Sequence, residues 1–136
     1  MKQLTAAVDF LHSRNILHRD LKTANVVLAL NGDLRLTDFG ISKVMIGTCP
    51  SAMTVIGTPY YMSPEQMKSE PYSFQSDVWA LGCIFYELVF RDYPFRGSNI
   101  VDLAQKIMTQ EPLLLSDTAD QGLLDLMKTM LSKDSL

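Results

Sequence analysis

Apolar residues recur with helical spacing in three stretches of the chain. The spacing i, i+3, i+4, i+7 marks one face of an amphipathic helix. The residues that show it are Leu4, Ala7, Val8 and Leu11; Ile100, Leu103, Ala104, Ile107 and Met108; and Leu123, Leu124, Met127, Met130 and Leu131.

Residues 78–90 are apolar almost all round, interrupted by Glu87, which predicts a helix buried in a core. Asp77 stands just before this run and is expected to cap the helix. The run is too short to span a bilayer, so we do not expect a membrane protein.

A β-hairpin is predicted in the first third of the chain. Two short apolar runs, residues 26–29 and 34–37, flank Asn31 and Gly32. Asn-Gly between two such runs is a strong hairpin signal. Residues 40–71 are rich in Gly, Pro, Ser and Thr and are expected to be mostly irregular. A loop of about 30 residues in a compact domain is usually functional. The expected fold is therefore mainly α with a small β-hairpin.

Composition and charge narrow the class of protein. The chain has 136 residues, of which 47% are hydrophobic and 20% charged. These values fit one globular domain and exclude a disordered chain or a coiled coil. Twelve basic residues against fifteen acidic ones give a net charge of −3, so no nucleic-acid partner is expected. Cys49 and Cys83 are too few for a disulfide framework and lack metal-ligand spacing. They predict reduced thiols and a cytoplasmic protein, with the nucleus and the cytoskeleton as alternatives.

The predicted hairpin gathers three oxygen-bearing side chains. Asn25 precedes the first strand and Asp38 follows the second, so both lie at the same end, and Asp20 is in the adjoining loop. Carboxylate and amide oxygens are hard ligands that suit Mg²⁺ held together with substrate phosphates. Asp20 is suited to accept a proton from an incoming hydroxyl group. Lys22 is suited to neutralise charge on a transferred phosphoryl group.

These residues belong to three motifs in a fixed order. Residues 18–25 read HRDLKTAN, residues 38–40 read DFG, and residues 63–65 read SPE. They match the H-R-D-L-x-x-x-N, D-F-G and A-P-E motifs, and here the chain resembles the eukaryotic protein kinases. The resemblance covers residues 1–136, from mid helix E to helix H of the family's fold, with an activation segment at residues 38–65. It implies a kinase-like C-terminal lobe of α+β class that lacks the N-terminal lobe.

Further segments refine the resemblance. Lys22 after His-Arg-Asp-Leu resembles the serine/threonine branch of the family. The segments GTPYYMSPE at residues 57–65 and DVWALGC at residues 77–83 are similar to the NIMA-related kinases. The resemblance implies ATP-dependent phosphoryl transfer to Ser or Thr of a protein substrate, with Mg²⁺ as cofactor. Ala24 fills a position where kinases that prefer basic substrates often carry an acid, which argues against a strong arginine preference.

The resemblance also implies roles for the residues of the catalytic loop, which we define as residues 18–25. Asp20 would be the catalytic base, and Lys22 would contact the γ-phosphate. Asn25 and Asp38 would hold the Mg²⁺ ions. Thr58 would hydrogen-bond to Asp20 and Lys22 and help to select serine or threonine acceptors.

A phosphorylation site in the activation segment is implied as well. Arg19 would pair with the phosphorylated residue, together with Lys43. Thr54 is the first candidate for that residue, ahead of Ser51 and Thr48.

Other residues would support the site. His18 and Phe39 would stack in an internal hydrophobic spine, and Asp77 would anchor the catalytic-loop backbone. Glu65 would normally pair with a buried arginine, but the sequence has no arginine after Arg96, so Glu65 is expected to lack that partner. Glu87 is interpreted either as the polar end of a buried helix or as a contact for basic substrate residues.

Two expected kinase features are missing from these residues. The sequence contains no G-x-G-x-x-G loop and no V-A-I-K lysine before the catalytic loop. Because phosphoryl transfer depends on positioning and charge stabilisation, the isolated 136 residues are expected to have little activity. Three hypotheses therefore stand: part of an active Ser/Thr kinase, a non-catalytic docking or regulatory module derived from a kinase, or a chain that cannot fold alone.

Overall fold

The computed structural model describes residues 1–39, 59–113 and 120–133. In this part of the chain, five α-helices and one short 3-10 helix (Thr23–Asn25) accompany one two-stranded antiparallel sheet. The helices are α1 (Lys2–His12), α2 (Pro64–Met67), α3 (Phe74–Phe90), α4 (Ile100–Thr109) and α5 (Gln121–Met130), and the strands are β1 (Val26–Leu28) and β2 (Leu34–Leu36). The prediction of a mainly helical fold with a small hairpin is confirmed. No helix among the described residues has both the length and the apolar character needed to cross a membrane.

Helix α3 is the centre of the core. Its buried side chains pack in three hydrophobic clusters, each of which joins α3 to a different part of the fold. Ala80, Leu81 and Ile84 meet α1. On other faces of α3, residues 79 and 83 pack against α4, and residues 85 and 86 pack against α5. The all-round apolar pattern of residues 78–90 correctly predicted the burial of residues 79–86, whereas Leu88, near the end of the run, is 59% exposed.

The start of α3 differs from the prediction. Asp77 does not cap the helix, which begins at Phe74 with Ser73 as its N-cap. Ser73 and Ser76 form a capping box, in which the Ser73 backbone N–H donates to Ser76 Oγ at 3.2 Å. Three polar residues, at positions 75–77, follow Phe74 in the first turn, so the apolar run begins only at residue 78 and the sequence pattern placed the start too late. Asp77 lies inside the helix and is fully buried, and its carboxylate does not cap the helix.

The hairpin forms where it was predicted. Strands β1 and β2 pair with Val26 opposite Leu36 and Leu28 opposite Leu34. The chain reverses over residues 29–33, where the Ala29 N–H donates to the Asp33 carbonyl oxygen at 2.8 Å. Gly32 has a φ of 86°, a left-handed conformation that glycine adopts without steric cost. The Asn-Gly signal therefore located the turn correctly.

Helix α2 was not predicted. Residues 40–71 were expected to be mostly irregular, yet residues 64–67 form a short helix. Its N-cap is Ser63, whose backbone N–H donates to Gln66 Oε1 at 3.0 Å, and Pro64 occupies the first helical position. A helix of four residues is too short to show apolar periodicity, which is why the pattern missed it.

Candidate active site

The catalytic loop is tied to the core through one buried carboxylate. Asp77 in α3 is 0% exposed. Its Oδ2 accepts from the backbone N–H of His18 at 2.9 Å, and its Oδ1 accepts from the backbone N–H of Arg19 at 3.1 Å. Arg19 has a φ of 68°, which is uncommon for a residue with a side chain and stores backbone strain. The carboxylate therefore holds a strained turn directly before Asp20.

Three polar side chains of the catalytic loop are bonded to one another. Asp20 Oδ2 accepts from Lys22 Nζ at 2.9 Å and from Asn25 Nδ2 at 3.1 Å. Asn25 Nδ2 also donates to the backbone carbonyl of Asp20 at 2.8 Å, and Asn25 is 3% exposed. Both contacts use the amide nitrogen, so the Asn25 amide oxygen is directed away from Asp20. The loop thus presents a carboxylate, an ammonium group and an amide oxygen in a fixed relation.

The hairpin brings Asp38 to the same end as Asn25. Beyond the last ladder pair, the Thr37 N–H donates to the Asn25 carbonyl oxygen at 2.9 Å, and Asp38 is the next residue. Asp38 is exposed and has a φ of 54°. Among the described residues, no hydrogen bond or ion pair engages the Asp38 carboxylate, so its oxygens remain available to a ligand.

His18 lies in the core beneath the loop. Its side chain is 0% exposed, and the centroids of the His18 and Phe39 rings are 4.8 Å apart. The backbone N–H of Asp20 donates to His18 Nδ1 at 3.3 Å. Burial lowers the pKa of His18 below its ordinary value of 6.5, with Asp77 opposing the shift. The ring is therefore neutral near pH 7, with the proton on Nε2. A buried neutral ring supports the loop and is unsuited to acid-base chemistry with a substrate.

A second polar cluster joins the catalytic loop to α3. Tyr61 donates its hydroxyl proton to Glu87 Oε2 at 2.5 Å, and Thr23 Oγ1 lies 2.8 Å from the Tyr61 hydroxyl and 3.4 Å from Glu87 Oε1. Burial and the Glu87 hydrogen bond raise the pKa of Tyr61, so the hydroxyl stays protonated. Sequence reasoning missed Thr23 and Tyr61, because no spacing rule links residues 23, 61 and 87. The Glu87 carboxylate here binds two hydroxyl groups of the protein.

Glu65 has a hydrogen-bond partner of a different kind from the arginine considered above. Its Oε1 accepts from the Ser76 hydroxyl at 2.5 Å. Glu65 also stands in the first turn of α2, where a carboxylate interacts favourably with the helix dipole. The Ser76 contact was not visible from sequence, because it depends on how α2 packs against the start of α3.

Some residues singled out from the sequence lie outside the described residues: Lys43, Thr48, Cys49, Ser51, Thr54 and Thr58.

Comparison with known proteins identifies the family of the chain. The model of the family described as "Protein kinase domain" matches residues 1–136. The chain therefore belongs to the protein kinase domain family, and the resemblance inferred from its motifs is confirmed.

Several relatives are named serine/threonine-protein kinases. The chain is 42% identical to Nek11 of Homo sapiens over 132 residues, which cover 97% of the chain and 20% of that protein. It is 45% identical to Nek1 of Mus musculus over 107 residues, 79% of the chain and 9% of that protein. It is 46% identical to the probable kinase nek3 of Dictyostelium discoideum over 110 residues, 78% of the chain and 10% of that protein. The chain thus spans a fifth or less of the length of these relatives.

Proposed function

We propose that the chain is the C-terminal lobe of a protein serine/threonine kinase, from mid helix E to helix H, which transfers the γ-phosphoryl group of ATP to Ser or Thr of a protein. The observation that carries this proposal is the bonded set of Asp20, Lys22 and Asn25 on a loop held by buried Asp77. Such a set supplies a proton acceptor and a positive charge within one short loop, as phosphoryl transfer requires.

Asp20 is assigned the role of catalytic base. As the new bond between the substrate hydroxyl oxygen and phosphorus forms, the bond from phosphorus to the leaving ADP oxygen breaks, and the hydroxyl proton passes to Asp20. Lys22 lies 2.9 Å from Asp20, so its ammonium group is close enough to meet the negative charge of the transferred group. Asn25 holds Asp20 in place through its amide nitrogen.

Asn25 and Asp38 are assigned to Mg²⁺. An amide oxygen directed away from Asp20 and an exposed, unengaged carboxylate are the hard oxygen donors that this ion prefers. Among the described residues, no group of three or more His, Cys, Asp or Glu side chains could hold a metal ion. Two protein donors suit an ion that is bound mainly by substrate phosphates. When bound, the ion would neutralise phosphate charge.

The remaining assignments follow the resemblance. Residues 38–65 form the activation segment, Thr54 is its phosphorylation site, and Arg19 pairs with the phosphate. Thr58 helps to select the hydroxyl acceptor. The partners are ATP and a protein that carries a Ser or Thr acceptor, and the protein acts in the cytoplasm.

The test is phosphate transfer from γ-labelled ATP, with Mg²⁺, by the full-length protein that contains this chain. We expect Asp20→Asn to lower turnover by about 10² to 10⁴ fold, the usual contribution of a positioned general base. Asp38→Ala should lower turnover strongly and raise the Mg²⁺ concentration that the remaining turnover needs. Asp33→Asn is the matched control, because Asp33 is an exposed acid on the same hairpin whose carboxylate contacts Asn31. Equal rates in wild type and Asp20→Asn would overturn the assignment, and a folded wild type without transfer would favour a docking module.

A further inference from the structure

The buried Asp77 carboxylate receives two side-chain donors besides the two loop amides. Tyr72, in the segment before α3, donates its hydroxyl proton to Oδ1 at 2.5 Å. His12, at the end of α1, places Nε2 2.9 Å from Oδ2. The His12 ring is in turn packed edge-on against Phe74, with 4.8 Å between ring centroids. Each carboxylate oxygen thus has one partner on the catalytic loop and one outside it.

This arrangement saturates the carboxylate. Two carboxylate oxygens offer about four acceptor sites, and four donors occupy them. The outer donors fix the rotation of the carboxylate, because turning it would break a bond to Tyr72 or His12 as well as one to the loop. Burial and the nearby Asp77 charge raise the pKa of Tyr72, so the hydroxyl remains a donor throughout the physiological range.

The loop amides depend on that rotation. Oδ1 accepts from both Tyr72 and Arg19, and Arg19 holds the left-handed backbone that leads into Asp20. Without the Tyr72 hydroxyl, Oδ1 would keep one donor, and His12 would be the remaining donor outside the loop that opposes rotation of the carboxylate. The hydrogen bond to the Arg19 N–H would then lengthen, and the turn before Asp20 would relax.

We infer that Tyr72 is a positioning residue that acts through Asp77 to hold the backbone of His18 and Arg19, with His12 as the second such residue. The consequence for catalysis rests on the proposed function, whereas the consequence for the loop backbone does not. Because Tyr72 acts through Asp77, we assign it a positioning role and not a catalytic one.

The experiment compares Tyr72→Phe with wild type in the full-length protein, using hydrogen exchange of the backbone amides measured by mass spectrometry with residue-level fragmentation. Exchange at His18 and Arg19 should rise by about tenfold, as expected for loss of one hydrogen bond to a charged acceptor. Tyr86→Phe is the matched control, because it removes a tyrosine hydroxyl that donates to the Leu113 carbonyl oxygen and not to Asp77. In both variants, exchange at Leu103 and Ile107 in α4 reports general loss of stability.

Each outcome of the exchange experiment decides whether Tyr72 holds the loop backbone. A rise at His18 and Arg19 in Tyr72→Phe, with α4 unchanged and no such rise in Tyr86→Phe, supports the inference. Equal exchange at His18 and Arg19 in Tyr72→Phe and wild type, or an equal rise throughout the core, would overturn it. If Tyr72→Phe does not fold, His12→Leu removes the other outer donor and is judged by the same two results.

Turnover is measured alongside exchange. In Tyr72→Phe, kcat should fall by about tenfold while the KM for ATP stays within about twofold, because a displaced Asp20 affects the transition state more than nucleotide binding. A wild type without any transfer would contradict the proposed function and would leave the exchange result to decide the role of Tyr72.

Discussion

Replacing Asp77 by asparagine tests the contact on which the catalytic loop depends. The fully buried carboxylate accepts from two backbone N–H groups, one hydroxyl and one imidazole nitrogen, at 2.5 to 3.1 Å. Asparagine keeps one acceptor oxygen and turns an NH₂ group toward two of these donors. A buried donor left without an acceptor costs about 1–3 kcal/mol, so two of them cost roughly 2–6 kcal/mol. That is a large share of the roughly 5–15 kcal/mol by which domains are stable.

The assay is urea unfolding followed by the fluorescence of Trp79, the single tryptophan of the sequence, which is buried in α3 two residues from Asp77. We expect Asp77→Asn to lower the unfolding midpoint strongly with little change in the denaturant slope. Asp33→Asn, an exposed hairpin change of the same chemistry, should stay within about 0.5 kcal/mol of wild type. A loss below about 1 kcal/mol in the free energy of unfolding of Asp77→Asn would show that the four donors do not depend on the carboxylate.

Two further predictions concern His18 and Glu87. Burial lowers the pKa of His18, so the unfolded chain binds more protons than the folded chain as the pH falls through the ordinary value of 6.5, and the free energy of unfolding should fall with it. In urea titrations at several pH values, His18→Phe should show a weaker dependence of this free energy on pH. The same dependence in His18→Phe and wild type would contradict a buried, neutral His18 ring. Glu87→Gln retains an acceptor for the Tyr61 hydroxyl but removes its charge, so the unfolding free energy should drop by about 1 kcal/mol. The relative rates on peptides with and without arginine should stay the same in Glu87→Gln, and a selective loss on arginine peptides would instead favour a substrate contact.

The sequence predicted the parts of the fold that depend on local pattern. The spacing of Leu4, Val8 and Leu11 located α1, and Asn31 with Gly32 located the hairpin turn, because both signals arise from the geometry of a single element. The hairpin in turn brought Asn25 and the segment ending at Asp38 to one end, as expected from antiparallel pairing.

The contacts that sequence reasoning missed join distant residues. Ser76 pairs with Glu65, and Tyr72 pairs with Asp77, through the packing of the segment before α3 against its neighbours. Asp77 was assigned to a helix cap from its place beside an apolar run, although Ser73 performs that function. A spacing rule cannot distinguish a cap from a buried acceptor, since that choice depends on which donors the tertiary fold brings within reach.

The most direct test of the account is the steady-state rate of phosphate transfer from γ-labelled ATP to a Ser- or Thr-containing protein, in the presence of Mg²⁺, by the full-length protein and its Asp20→Asn variant. We predict measurable transfer by the wild type, and a loss of at least about 10² fold in an Asp20→Asn variant that remains folded. Equal turnover by the two proteins would contradict the role of Asp20, and with it the mechanism built on the catalytic loop.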